Sequence, residues 1–282
     1  MQAGTLFIVA TPIGNLGDLT ARAVDTLRTC DRIAAEDTRR TRGLLSHCGI
    51  LGKPLEALHA HSTERDVARM VLRLCEGEKI ALVTDAGTPA VSDPGDALVR
   101  AAIQAGIAVV PIPGASAVLA ALVASGLAGE SGFRFMGFLP RSGGARHEAI
   151  ARACATPEAV VLFESPNRTR DTLGDLARAT PERAACVARE LTKIHEEFVR
   201  GTLADLAADA REWMGEVVLV LGPHDPAARE IAVDDAAIDA RIDRELSEGL
   251  HAKVIAERVA AWCGRPKRDV YERVTQRKRT RS

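Results

Sequence analysis

The densest group of residues able to do chemistry is Thr84-Asp85-Ala86-Gly87-Thr88-Pro89-Ala90-Val91-Ser92-Asp93-Pro94-Gly95. It follows an apolar run, KIALV. Its small residues and prolines make a stiff loop that lets a ligand approach the backbone. Asp85 stands where the run ends, and a carboxylate there accepts hydrogen bonds from ligand hydroxyl or amine groups. The plainer alternative is a tight turn in which Asp93 caps the next helix. PIPGASA (111–117) repeats the design after the following apolar run, with Ser116 near a helix start. Two Gly-rich loops at neighbouring strand ends point to a pocket. TPIGNLGD (11–18) lacks the G-x-G-x-x-G spacing, and no G-x-x-x-x-G-K-[ST] run occurs. Hydride transfer and nucleotide hydrolysis are therefore poorly supported. His59 and His61 form an H-x-H pair, but nothing nearby suggests a third ligand, so no metal site is assigned.

Alternating strands and helices must position these loops. Apolar runs at 5–11, 32–36, 55–59, 79–85 and 107–112 predict five strands. Helical spacing predicts helices over 19–30, with Asp18 as cap, and over 38–48, opened by Asp37. Further helices are predicted over 63–75, 96–105 and 115–124. This rhythm implies parallel pairing through right-handed crossovers, with ligands at the strand C-termini. It breaks at GLAGESG (126–132), read as a linker. Beyond it, strands are predicted at 133–138, 158–165, 183–190, 195–201 and 215–222, with helices at 147–154, 168–179 and 203–212. The short gap between 183–190 and 195–201 suggests an antiparallel hairpin in a mixed α/β domain. The expected organisation is an N-terminal parallel α/β domain (1–125), a second mixed α/β domain (126–225) and a basic helical extension (226–282).

Composition narrows the class. The 282 residues are 46% apolar, 27% charged and only 3% aromatic, so the core must be aliphatic. No run approaches the roughly 20 apolar residues of a membrane span. The start, MQAGTLFIVATPIGN, lacks a basic n-region and a cleavage motif. The six cysteines are scattered singly, as small buried hydrophobes in a reducing, cytoplasmic compartment. A net charge of −1 hides an asymmetry: residues 265–281 hold eight basic and two acidic side chains, +6, against −7 elsewhere. A basic end on an acidic body suits a polyanionic partner, or is simply a solvated tail. Charged terminal helices also bury little, so weak ordering is expected there.

The loops also carry a resemblance. TPIGNLGDLTARA (11–23), AAEDTRRTRGLL (34–45), TDAGTPAVSDPG (84–95), PIPGASA, GFLPR (137–141), FESPNR (163–168), ARELTKIHEEFVRG (188–201) and GEVVLVLG (215–222) follow one another as in the tetrapyrrole-methylase-fold (class III) methyltransferases. Within them the chain resembles the family of small-subunit ribosomal RNA cytidine-2′-O-methyltransferases, whose C-terminal extension HAKVIAERVAAWCGRPKRDVYERV (251–274) also matches. Departures are small: Thr84 for the usual serine, Asn167 for histidine, and Ile194-His195 for an aromatic residue.

The resemblance implies S-adenosylmethionine in a cleft between two α/β domains. The matching loops are Pro12, then Asp85, Ala86, Gly87, Thr88, Pro89, Ala90, Val91 and Ser92, then Gly114, Ala115, Ser116 and Ala117. The acceptor would be 16S ribosomal RNA or the small ribosomal subunit, and the assembly a homodimer. Methyl transfer from a sulfonium needs in-line positioning and no metal. A ribose hydroxyl is a poor nucleophile until its proton is taken. Glu36 and Asp37 are candidate bases, Asp85 is a third, and Lys193 is a candidate for stabilising alkoxide charge. A simple helix cap is the alternative for Asp37. Arg39, Arg40 and Arg42, with Arg265, Lys267, Arg268, Arg277, Lys278 and Arg279, are candidates for RNA phosphate. Trp213 and Trp262 are read as packing residues. Two other readings remain at this point: a small-molecule tetrapyrrole methylase of the same fold, and a non-catalytic ribosome assembly factor.

Overall fold

Two parallel strands begin the core: β1 (Thr5–Val9) and β4 (Lys79–Val83) pair from Thr5↔Lys79 to Ile8↔Leu82. With β2 (Arg32–Ala35), β3 (Leu55–Ala57) and β5 (Ala108–Ile112) they form an all-parallel sheet in the order β3-β2-β4-β1-β5. This is a computed structural model, and it describes residues 3–59, 62–91, 95–224, 235–248, 250–263 and 265–281. The central strands β1, β2 and β4 read as nearly unbroken apolar runs because both faces of the sheet are covered there, whereas the edge strand β3 is only partly buried. Ile33, Ala35, Ala81 and Val83 face α1 (Ala21–Thr29) and α2 (Thr38–His47). Their alternating neighbours Ala34, Ile80 and Leu82 face α3 (Glu64–Cys75) and α4 (Asp96–Gln104).

One cap differs from expectation. Asp18 does not open α1; it ends a short 3₁₀ turn, Leu16–Asp18, set by Asn15, whose Oδ1 accepts from the Gly17 N–H at 2.9 Å. The extra turn moves the cap to Thr20, which accepts from Ala23 N–H at 3.2 Å.

The second sheet is mixed. Its strands are β6 (Phe133–Phe138), β7 (Ala159–Glu164), β8 (Ala184–Arg189), β9 (Glu197–Thr202) and β10 (Val217–Leu221), in the order β6-β7-β10-β8-β9. Only β6–β7 is parallel, and β8–β9 is the expected antiparallel hairpin. One face packs on α6 (Gly143–Ala155), α7 (Pro166–Ala179) and α8 (Leu203–Ala208). The other receives α5 (Ala117–Ser125), whose Val118, Ala121 and Leu122 lie on Val161, Cys186, Ala188, Val218 and Val220. Thus the helix that follows the first sheet in sequence covers the second sheet in space. Helix α8 stops at Ala208, short of the predicted 212, because Asp209 turns extended and caps it.

Arg183, immediately before β8, is buried. Its guanidinium donates to the carbonyls of Gly222 (2.8 Å), Ala153 (2.8 Å) and Glu158 (3.0 Å). Arg183→Met strands those carbonyls in a dry site. Urea unfolding should show a loss of about 3 kcal/mol.

By contact the chain divides into two compact units: residues 1–154 with 158–223, and residues 155–157 with 224–282. Both sheets belong to the first unit. The second unit contains α9 (Asp235–Ser247), α10 (Ala252–Cys263) and α11 (Lys267–Arg281). Contrary to the expectation of weak ordering, these helices close their own core on Ile238, Ile242, Ile255, Val259, Cys263, Val270 and Val274. Much of the basic charge is paired inside this unit. Arg265 meets Asp235 at 2.6 Å, Lys267 meets Glu257 at 3.2 Å and Arg268 meets Glu272 at 3.3 Å. Arg277 lies 2.8 Å from Asp239 and 2.5 Å from Asp243. Lys278 is exposed, and the side chain of Arg279 lies outside the described residues.

Candidate active site

Three loops converge at the C-terminal edge of the first sheet. Thr11 and Gly87 exchange backbone hydrogen bonds at 2.9 and 3.0 Å, joining the loop after β1 to the loop after β4. Thr11 Oγ1 also donates to Thr84 O at 3.1 Å. Thr88 Oγ1 donates to Ala115 O at 3.2 Å, tying in the loop after β5. Gly87 takes φ = +81°, a left-handed conformation that favours glycine. A Cβ on Gly114 would sit 3.0 Å from Ala10 Cβ, so that turn also needs a small residue.

The loops form one wall of a cavity of about 370 Å³. This wall consists of Ile13, Ala86, Gly87, Thr88, Val91, Ser116, Ala117 and Val118. The second sheet supplies the opposite wall: Phe138, Phe163, Glu164, Ser165, Pro166 and Gly215 to Val218. Of the residues expected to hold cofactor, Ala86, Gly87, Thr88, Val91, Ser116 and Ala117 line the cavity. Pro12, Asp85, Pro89, Ala90, Gly114 and Ala115 belong to the same loops without lining it, and Ser92 lies outside the described residues, as does His61.

The second wall was not assigned residue by residue from sequence, although its motifs were visible. Glu164 is fully buried and accepts from Ser165 N–H (2.8 Å) and Thr172 Oγ1 (2.7 Å), with Arg168 at 3.4 Å. Arg168 in turn donates to Leu139 O (2.9 Å) and Pro140 O (3.0 Å), holding the turn after β6 against the start of α7. Phe163 packs edge-on to Phe135, and Phe138, 60% exposed, stands 5.6 Å from it at the cavity wall.

The candidate catalytic groups are not equivalent. Glu36 Oε2 accepts from Thr84 Oγ1 (2.6 Å) and from Asp85 N–H (3.1 Å), so it braces the loop after β4. Asp37 is the α2 cap: Oδ1 accepts from Arg39 N–H at 2.8 Å and Oδ2 from the Arg39 guanidinium at 3.0 Å. The Arg39 side chain, then its backbone N–H, lower the Asp37 carboxyl to about 2. So acidic a group is a weak proton acceptor. Asp85 goes the other way: burial, then the charge of Glu36, raise it against the opposing pull of Arg40.

Lys193 lies 2.9 Å from Glu190 and 3.1 Å from Glu216. Burial pulls its ammonium down, but hydrogen bonds to the two glutamates outweigh that and hold it above its ordinary value. It is a lasting cation whose charge is already matched. Its turn is strained, with Glu190 at φ = 51° and Thr192 at φ = 65°. Arg39 and Arg40 are 86% and 70% exposed beside the carboxylates, and Arg42 is exposed on the same helix.

Residues 5–207 match the model of the tetrapyrrole (corrin/porphyrin) methylases. The fold agrees. A uroporphyrin-III C-methyltransferase from Thermus thermophilus, complexed with S-adenyl homocysteine, superposes with a TM-score of 0.55 at 19% identity, over 78% of this chain and 97% of its own. The methyltransferase CobJ gives 0.59 at 19% identity, over 78% and 95%. The chain belongs to the tetrapyrrole methylase family. Within it, relatives similar over nearly their whole length carry the name ribosomal RNA small subunit methyltransferase I. That of Halalkalibacterium halodurans is 45% identical over 95% of this chain and 93% of its own. That of Xylella fastidiosa is 48% identical over 90% and 94%.

Proposed function

We propose that this chain transfers a methyl group from S-adenosylmethionine to the ribose 2′-hydroxyl of a decoding-centre cytidine in 16S ribosomal RNA. One observation carries the choice of an RNA acceptor over a tetrapyrrole. The family match ends at residue 207, yet the ribosomal relatives extend over 90–95% of this chain, leaving room for the basic helical unit. The uroporphyrin methylase covers 78%.

The cavity suits the cofactor in size, within the few hundred cubic ångströms usual for such sites. Small residues expose backbone N–H and carbonyl groups, while Ile13, Val118, Phe138 and Phe163 offer apolar surface. The loops of Pro12, Asp85 to Ser92 and Gly114 to Ala117 would hold it against the second wall. When bound, its sulfonium supplies an activated methyl group. The chain's own residues orient the acceptor, exclude water and take a proton from the 2′-hydroxyl. Glu36, Asp37 and Asp85 are the carboxylates at that edge. Lys193, held by Glu190 and Glu216, fixes its turn rather than meeting the alkoxide alone.

RNA phosphates fall to Arg39, Arg40 and Arg42, and to the cations of the helical unit. No helix among the described residues is long and apolar enough to cross a membrane. The reading places the enzyme in the cytoplasm with the ribosome, as a homodimer, and light scattering giving a monomer mass at micromolar concentration would refute the dimer. Deleting residues 232–282 should leave cofactor affinity within about twofold. RNA affinity should fall at least tenfold, with a shallower salt dependence, because phosphate contacts set that slope. Loss of cofactor binding with RNA binding intact would contradict the assignment. The functional test is mass spectrometry of 16S RNA from cells lacking this chain: one cytidine should lose its 2′-O-methyl group.

A further inference from the structure

A groove of about 550 Å³ opens on the helical unit, where α9 faces the end of α10. Its walls include Ala240, Arg241, Arg244, Glu245, Glu248 and Trp262. The Arg241 guanidinium carbon lies 4.4 Å from the centre of the Trp262 ring. Arg241 Nε also donates to Glu245 Oε1 at 3.1 Å. The cation is thus fixed by an aromatic face and by a carboxylate one turn along α9. The second oxygen of that carboxylate is another matter. The Glu245 side chain is only 9% exposed, and its Oε2 is buried with no hydrogen-bond partner among the described residues. An unpaired buried carboxylate oxygen is costly, and the packing of three helices does not require one. On the wall of an open groove, a ligand N–H would complete it. Arg244 stands exposed on the same wall.

We propose that this groove holds one unpaired nucleotide of the RNA, with a base that carries an exocyclic amine. This rests on the reading of the chain as an RNA methyltransferase. The base lies against the Arg241–Trp262 stack, its amine donates to Glu245 Oε2, and its phosphate meets Arg244. Guanidinium planes and aromatic rings are the surfaces on which unstacked RNA bases settle. A carboxylate reads an amine by accepting from it, as from cytosine N4. The groove is of the size usual for a small ligand. The short side chain of Ala240 leaves its floor open to a flat ring.

Cytosine, adenine and guanine all carry such an amine. Uracil does not, and its one ring N–H lies between two carbonyl oxygens that a carboxylate repels. A basic peptide fits less well, because Arg241 already covers the Trp262 ring and Arg244 repels a second cation. The groove shares no residue with the cofactor cavity, so it selects where the RNA is gripped and not what is done to it. It gives a base preference to a unit whose other cations read only phosphate.

The experiment titrates the full chain with short labelled oligo(C) and oligo(U) RNAs, two pyrimidines of equal charge, and reads fluorescence anisotropy. Oligo(C) should bind at least about tenfold more tightly, the discrimination expected of one good base contact. In Glu245→Gln the amide oxygen keeps the Arg241 contact and the amide NH2 takes the place of Oε2. A donor then replaces an acceptor, so the preference should vanish or reverse while the circular dichroism stays unchanged. Arg244→Gln should weaken both oligonucleotides alike and reduce the salt slope by about one. In Trp213→Phe, where Trp262 alone emits, oligo(C) should quench the emission. Equal affinities in the wild type, a preference that survives Glu245→Gln, or unquenched Trp262 would overturn the site and leave the RNA reading standing. Should Glu245→Gln fail to fold, the wild-type preference and the Trp262 signal decide alone. Quenching by an arginine-rich peptide but not by oligo(C) would make the groove a protein-docking site and overturn the proposal. A wild-type chain that binds neither oligonucleotide nor small-subunit RNA removes the functional reading itself.

Discussion

Ala86→Phe should abolish cofactor binding without unfolding the chain. Ala86 is exposed and lines the cavity, so a benzyl group there projects into the space of about 370 Å³ rather than into either core. Ligand and side chain cannot share that volume. Calorimetry should read an affinity loss of at least about a hundredfold, some 2.7 kcal/mol. The melting temperature should stay within about 2 °C, because no buried contact is lost. Unchanged affinity would place the cofactor elsewhere.

Gly14→Val should damage stability and binding together. A Cβ at Gly14 would lie 2.5 Å from Lys193 Cγ and 2.8 Å from both Leu191 O and Thr192 Oγ1. This is where the loop after β1 meets the strained turn between β8 and β9. The neighbouring Asn15 N–H donates to Thr192 Oγ1 at 3.0 Å, and Ile13 on the same loop lines the cavity. The backbone on one side and a positive-φ turn on the other have little room to yield. Denaturant unfolding should show a loss of about 2–4 kcal/mol, at the upper end of overpacking costs. Cofactor affinity should fall about tenfold as Ile13 shifts. Wild-type stability in this variant would mean that the two loops move freely past each other.

The first sheet was legible in sequence because its central strands are covered on both faces and every crossover carries a helical period. Its pocket loops were legible for a related reason: glycine and proline cluster in the segments that follow β1, β4 and β5. The place of α5 was not. Its small apolar residues reveal burial but not against which sheet, and the packing of Val118 and Leu122 on Val161 and Val220 is set by long-range topology. The second wall of the cavity was hidden in the same way. Phe138, Glu164 and Gly215 are far apart in the chain and meet only because β6, β7 and β10 are neighbours. The carboxylates at 36, 37 and 85 were seen, yet their roles separate only through hydrogen-bond partners that spacing cannot supply. The basic count of the C-terminus was likewise correct, but how many of those charges α9 and α10 neutralise was not readable from it.

The most direct measurement of the central claim is a methylation assay with purified chain, S-adenosylmethionine bearing a labelled methyl group, and small ribosomal subunits lacking the modification. The RNA is then digested to nucleosides and analysed by mass spectrometry. The label should appear in 2′-O-methylcytidine at a single position, and Ala86→Phe should transfer none. Label in a base methyl group, or transfer only to a porphyrinoid acceptor supplied in place of RNA, would contradict the account.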